Sequence, residues 1–205
     1  MRQIIVVFNT YTNERLQSLC SCVWNESIYV SGHSDFQSSK KPILKRKTTA
    51  MQQDKTIHYR LHKDWRESAV IPTAVAQQLE SLLSTAYAPY SNYPVSSIVI
   101  MQSGALVVGT NQENAAFPSG LCAERVAVLA AKSAYPNESI LSVYIMTGES
   151  ERLPAAPCGS CRQVLHEMEV RQDTPFDLFL LNKTADALAF SGVQDLLPFS
   201  FTLPR

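Results

Sequence analysis

The sequence predicts an α/β layered domain with a mixed sheet, on three observations. Apolar residues recur at helical spacing in three places, β-rich apolar runs stand between them, and the two kinds of segment alternate from Thr56 onward. After a short strand of mixed character over Thr56 to Leu61, the order reads helix, hairpin, helix, strand, helix, strand. Pro72 opens the first helix, since proline is tolerated in a first turn, and Val75, Leu79, Leu82, Leu83 and Ala86 carry its apolar face. That helix runs into Ala88-Pro89-Tyr90-Ser91-Asn92-Tyr93-Pro94, where two prolines oppose continuation. Val95 to Met101 and Ala105 to Thr110 flank Gln102-Ser103-Gly104, the arrangement of an antiparallel hairpin. A loop from Asn111 to Leu121 follows, with Pro118 and Gly120 in it. Cys122, Val126, Leu129 and Ala130 then trace one face of a second helix that fades near Tyr135-Pro136. Ile140 to Thr147 reads as a buried strand. A third helix starts at Pro157-Cys158 with Cys161, Val164, Leu165 and Met168 on one face, and Phe176 to Leu181 supplies a last strand.

Composition sets the class. Of 205 residues 45% are hydrophobic and 18% charged, the balance of a globular protein, and the length allows one ordinary domain with something appended. The formal charge is zero but uneven: eleven Lys and Arg against six Asp and Glu through Val70, then seven against twelve. Residues 1–54 pass from an apolar patch through a polar stretch to the basic run Lys40 to Lys47, and read as a weakly structured extension that buries too little apolar area to offset its ordering entropy. Residues 55–205 read as the folded domain. Met51 stands just before the regular pattern and is a candidate start of translation; native protein carrying residues before Met51 would refute that. No apolar run reaches the length of a membrane span, and Ile4 to Phe8 is too short for a signal core and lacks a small-residue cleavage site, so a cytoplasmic protein is expected. Five cysteines, three of them Cys122, Cys158 and Cys161, fit metal ligation better than an even disulfide framework.

The chemistry concentrates in Cys122-Ala123-Glu124 and Pro157-Cys158-Gly159-Ser160-Cys161. Zinc takes about four ligands drawn mainly from nitrogen and sulfur, and a catalytic site keeps one position for water; three thiolates leave that position free. Cys158 and Cys161, three apart at a helix start, can aim both sulfurs at one point, and Cys122 reaches it from another helix. Helix starts also favour anionic sulfur. Glu124 adds a carboxylate beside such a site, able to accept and return protons. The competing reading is a structural zinc staple. It needs a fourth ligand, which Cys20, Cys22 or His166 would have to supply.

Ala86 to Val95, Asn111-Gln112-Glu113-Asn114-Ala115-Ala116-Phe117-Pro118, Cys122-Ala123-Glu124-Arg125 and Pro157 to Val164 together resemble the small cytidine deaminase family, of the three-cysteine zinc, homotetrameric type, over about residues 73 to 201. The resemblance implies a three-layer α/β/α sandwich with a mixed sheet, and homotetramers whose active sites borrow residues from neighbouring subunits. It also implies a Zn2+ cofactor held by Cys122, Cys158 and Cys161, with Glu124 as the proton shuttle of zinc deaminases acting at C4 of cytosine. Asn111 and Glu113 would bind the ribose hydroxyls, with loop ordering as their bland alternative. Tyr93 stands where the family commonly has Phe against the pyrimidine. Ala123, Phe117 and Phe201 also match substrate-side positions, although the two phenylalanines suit core or interface packing as well. Arg125 would partly neutralise the thiolates, and Arg162 and Gln163 would support the site from behind its ligands. Ser96 and Ser97 depart from the family's frequent Gly and Ala, and Val126 from a common Thr. The implied reaction is hydrolytic deamination of cytidine and deoxycytidine in pyrimidine salvage, by a cytidine deaminase-like catalytic domain over 55–205. Three alternatives stay open: a related pyrimidine nucleoside, a nucleic-acid substrate, and a non-enzymatic zinc module. Lys40 to Lys47 could bind phosphates, but the acidic later portion and the lack of interleaved basic and aromatic residues argue against nucleic acid.

Overall fold

The computed structural model describes residues 4–6, 53–67, 69–150, 153–184 and 186–204. The chain divides into two units, Val6–Lys55 and the remainder. The extension expected over residues 1–54, with Cys20, Cys22, the basic run and Met51, lies outside the described residues except for 4–6 and 53–54. Ile4–Val6 (β1) and Lys55–Ile57 (β2) form a two-stranded sheet.

The main sheet has six strands, β3 (Arg60–His62), β4 (Val95–Met101), β5 (Leu106–Thr110), β6 (Ile140–Thr147), β7 (Asp177–Leu181) and β8 (Ala187–Ser191), in the spatial order β3-β8-β7-β6-β4-β5. β6 and β7 run parallel, and every other neighbouring pair is antiparallel. Alternation along the strands feeds two cores, because successive side chains leave opposite faces of a strand. On one face Ile98, Tyr144, Met146, Phe179 and Leu181 pack with Val75, Ala76 and Leu79 of helix α1 (Thr73–Leu82). On the other, Val99, Met101, Val143, Ile145, Leu178 and Leu180 pack with Ala127, Val128 and Ala131 of α2 (Ala123–Ala134) and Leu165 and Met168 of α3 (Gly159–Gln172). The result is the expected three-layer α/β/α sandwich. None of its helices, among the described residues, is long and apolar enough to cross a membrane.

Three features differ from the sequence reading. The strand expected over Thr56 to Leu61 is two strands, β2 and β3, in different sheets. β8 was not expected; its Ala187-Leu188-Ala189-Phe190-Ser191 is held by pairing with β7 on one side and β3 on the other. The face of α2 is also rotated, since Leu129 is exposed while Ala123, Ala127, Val128 and Ala131 are buried.

Gly109 of β5 explains that rotation. A methyl group there would stand 2.5 Å from the Ala127 nitrogen and 2.6 Å from the Ala123 oxygen, so α2 lies with its backbone against the strand and only small residues fit between. Gly109→Ala is therefore expected to push α2 outward, lower the melting temperature by several degrees and reduce bound zinc; calorimetry and metal analysis check it, and unchanged values in both would contradict the close contact.

The two serines that depart from the family behave differently. Ser96 Oγ donates to the Leu79 carbonyl at 2.8 Å and ties β4 to α1. Ser97 is fully buried and its hydroxyl has no partner among the described residues. An unmade buried hydrogen bond costs about 1–3 kcal/mol. Ser97→Ala is expected to raise the melting temperature by about 2–4 °C per kcal/mol recovered in a domain of this size. A lower melting temperature would mean that the hydroxyl is satisfied in solution.

Candidate active site

Antiparallel pairing brings the start of β4 beside the ends of β5 and β6, with Val95 opposite Thr147 and Ser96 opposite Thr110. α2 and α3 start at this same end of the sheet, and Cys122 and Cys158 are the residues that cap them, both in extended backbone conformation. Their carbonyls accept the first helical bonds, from Arg125 and Val126 to Cys122 and from Arg162 to Cys158. The sulfurs thus sit where helix amides and dipoles favour negative charge.

Cys161, one turn into α3, is fully buried and completes the set: the Cys158 and Cys161 sulfurs are 3.3 Å apart, and all three lie within 4.8 Å of one another. A tetrahedral zinc with bonds of about 2.3 Å holds its sulfurs roughly 3.8 Å apart, so the cluster fits the ion. Among the described residues no histidine or carboxylate joins these three. Arg125 lies against them, its guanidinium donating to the Gly120 carbonyl at 3.0 Å and to Cys122 Sγ at 3.9 Å. Its Nε is buried without a partner among the described residues, a donor that a set of thiolates would satisfy. A hydrogen bond from Cys161 lowers the Cys122 thiol to about 5, with Arg125 assisting, and for the same reason Cys161 is held strongly toward its protonated form. Bound metal would displace that proton, since thiolates are the ligating form.

Glu124 is buried in the first turn of α2, 4% exposed, within hydrogen-bond reach of Cys161. Burial pushes its carboxyl above the usual carboxylate range, against the opposing pull of its backbone hydrogen bond. A carboxyl raised in this way beside a cysteine cluster is suited to take up and return a proton.

These groups open on a cleft of about 520 Å³. Tyr93, Asn111, Glu113, Phe117, Cys122, Glu124, Arg125 and Cys158 all line it. Asn111 and Glu113 also build its wall. Asn111 Oδ1 accepts from the Val95 amide at 2.8 Å and its Nδ2 donates to the Tyr93 carbonyl at 2.9 Å. Glu113 accepts from the Tyr90 and Ser91 amides and from the Ser91 hydroxyl, and this last bond does most to hold its carboxyl below the usual range. The loop-ordering role is therefore real at both positions, with capacity left on each side chain for a ligand.

Two residues expected on the substrate side stand elsewhere. The Ala123 side chain is buried under α2. Phe201 is largely exposed, and its main chain exchanges hydrogen bonds with the Gln163 side chain, 2.8 Å from Nε2 to the carbonyl and 3.2 Å from the amide to Oε1. Neither Phe201 nor Gln163 lines the cleft of its own chain. Phe117 lines it but is mostly exposed, edge-on to Tyr90 at 5.8 Å between ring centres. Sequence reasoning gave no role to Ser91, Ile145 or Thr147, which also line the cleft. Ser91 lies within a motif already singled out, whereas Ile145 and Thr147 are marked only by their position near the end of a strand.

Three convergent cysteines facing a cleft, with a buried carboxyl beside them, form the donor set of a zinc-dependent hydrolase. Residues 72–173 match the family model of the cytidine and deoxycytidylate deaminase zinc-binding region. The chain is 34% identical to a cytidine deaminase of Halalkalibacterium halodurans over 117 residues, 57% of this chain and 83% of that one. It is 33% identical to a cytidine deaminase of Mycoplasma genitalium over 128 residues, 62% of this chain and 92% of that one. The crystal structure of a cytidine deaminase from Burkholderia pseudomallei superimposes with a TM-score of 0.55 at 31% identity, covering 64% of this chain and all of that one. This chain belongs to the cytidine deaminase family.

Proposed function

We propose that the chain deaminates cytidine and deoxycytidine hydrolytically, to uridine and deoxyuridine with release of ammonia, and serves pyrimidine salvage in the cytoplasm. The observation that carries the reading is the buried Glu124 beside three convergent sulfurs at one end of a nucleoside-sized cleft that Asn111 and Glu113 also line. Cys122, Cys158 and Cys161 are the residues to hold the zinc, which when bound supplies a Lewis acid that makes water nucleophilic at neutral pH. Glu124 takes a proton from the attacking water and delivers protons to the pyrimidine ring nitrogen and the departing amine. Asn111 and Glu113, preset by their bonds to the 90–95 loop, hold the ribose hydroxyls, and Tyr93 covers the base. Arg125 offsets the negative charge of three thiolates on a divalent ion, keeping that water acidic enough to react.

In this reading residues 55–205 are the catalytic domain and the protein is a homotetramer. Exposed apolar side chains, Tyr90 and Phe117 beside the cleft and Phe199 and Phe201 in the C-terminal segment, support a surface that other copies cover. Phe201, off its own cleft, is then assigned to a neighbour's. The test is a side-by-side assay of cytidine, deoxycytidine and cytosine on purified protein of measured zinc content. Both nucleosides should turn over and cytosine, lacking the sugar, far more slowly. Zinc-loaded protein inert toward cytidine would overturn the proposal, as would deamination of a single-stranded oligonucleotide that survives deletion of residues 1–50.

A further inference from the structure

Arg162 follows the last cysteine and does not line the cleft, yet its guanidinium makes two hydrogen bonds that tie the residue before Cys158 to a distant segment. Its Nε donates at 2.7 Å to the carbonyl of Pro157, the residue immediately before Cys158. One terminal nitrogen donates at 2.9 Å to the carbonyl of Leu196, 34 positions away in the segment after β8. Next to it, Gln163 grips the main chain of Phe201 with both ends of its amide. The C-terminal segment is thus fastened to the first turn of α3 at two points, and one of them continues directly to the backbone that presents Cys158.

Cys158 needs such help. It is the exposed member of the cysteine set and precedes the first residue of α3, so its own helix fixes it on one side only. The loop on the other side, Pro154 to Pro157, has no regular structure. A planar, permanently charged fork reaching two carbonyls can restrain that loop, and lysine, with one compact ammonium on a flexible stem, holds it less well.

We propose that Arg162 is a positioning residue for the metal centre: it locks the Pro157 carbonyl to the Leu196 carbonyl and so makes the C-terminal segment part of the device that aims Cys158. This rests on the zinc-binding reading of the three cysteines. Groups behind the ligands of a metal typically change its affinity by about 10–100-fold when removed.

The experiment compares full-length wild type, Arg162→Ala and Arg162→Lys, each loaded with zinc or with cobalt. Zinc release to a chelator should be at least about tenfold faster in Arg162→Ala, within the range expected for such a group, and intermediate in Arg162→Lys. The thiolate-to-cobalt absorption bands should shift, and kcat should fall more than KM rises, because the sugar-binding wall is untouched. A C-terminal truncation after Leu197, which leaves the Leu196 carbonyl but removes the Gln163 grip on Phe201, should speed release less than Arg162→Ala. Release and cobalt spectra unchanged in the Arg162 variants would overturn the proposal. Should Arg162→Ala not fold, Arg162→Lys with wild-type release would do so alone. Wild type that takes up neither metal would instead overturn the zinc reading beneath it.

Discussion

Glu124→Gln is expected to lower cytidine turnover by about three to four orders of magnitude while the protein keeps its full complement of zinc. Removing a positioned general acid–base group typically costs 10²–10⁴-fold, and here one carboxyl serves several proton movements, which puts the loss at about the upper end. Glutamine has nearly the same shape, so the buried site is not emptied. What disappears is the capacity to exchange a proton. The sulfurs are not altered, so metal content should stay near one ion per chain, and affinity for the uridine product should change little. Metal analysis, steady-state rates and a product-binding titration on the same preparation check the prediction. Near-normal turnover would assign the proton work to another group.

Cys158→Ala is expected to abolish zinc binding and, with it, measurable activity. Two remaining sulfurs cannot hold the ion against solvent, since structural zinc sites draw their apparent 10–16 kcal/mol from a complete ligand set, roughly divided among its members. The loss should also be felt in the fold. Without metal the partly buried Cys122 and buried Cys161 lose the ion that would tie the starts of α2 and α3 together. The variant's melting temperature should sit below that of the wild type and no longer respond to a chelator, whereas wild type treated with chelator should fall toward the variant. Full zinc occupancy in Cys158→Ala would remove this cysteine from the site.

Much of the architecture was legible because local chemistry and tertiary structure agree. The β4–β5 hairpin is written in two β-rich runs around Gly104, whose φ of 84° suits glycine. The starts of α2 and α3 are marked by the very cysteines that carry the site. Failures arose where a distant partner decides. β8 is short and unremarkable in composition, and it is a strand because β7 and β3 flank it. The buried face of α2 differs from the expected one because Leu129 is a more apolar residue than alanine, yet Gly109 brings the helix backbone so close at Ala123 and Ala127 that small residues face the strand there. At the site, the cysteines and Glu124 stand out by type and spacing, which carry the information directly. The double duty of Asn111 and Glu113 does not, nor does the reach of Arg162 to Leu196, because each depends on backbone groups far away along the chain.

The parallel pair β6 and β7 has a consequence for how the molecule comes into being. Parallel neighbours cannot be joined by a tight turn, so the chain must leave β6, cross the sheet and return before β7 can align. Cys158 and Cys161 ride on that crossing, while Cys122 arrives earlier with the helix behind the hairpin. Contacts between distant parts of a chain form after local ones, because loop-closure entropy must be met first. The three thiols therefore meet late in folding, and a nascent chain carries them apart and open to oxidants or stray metals until the crossing has docked.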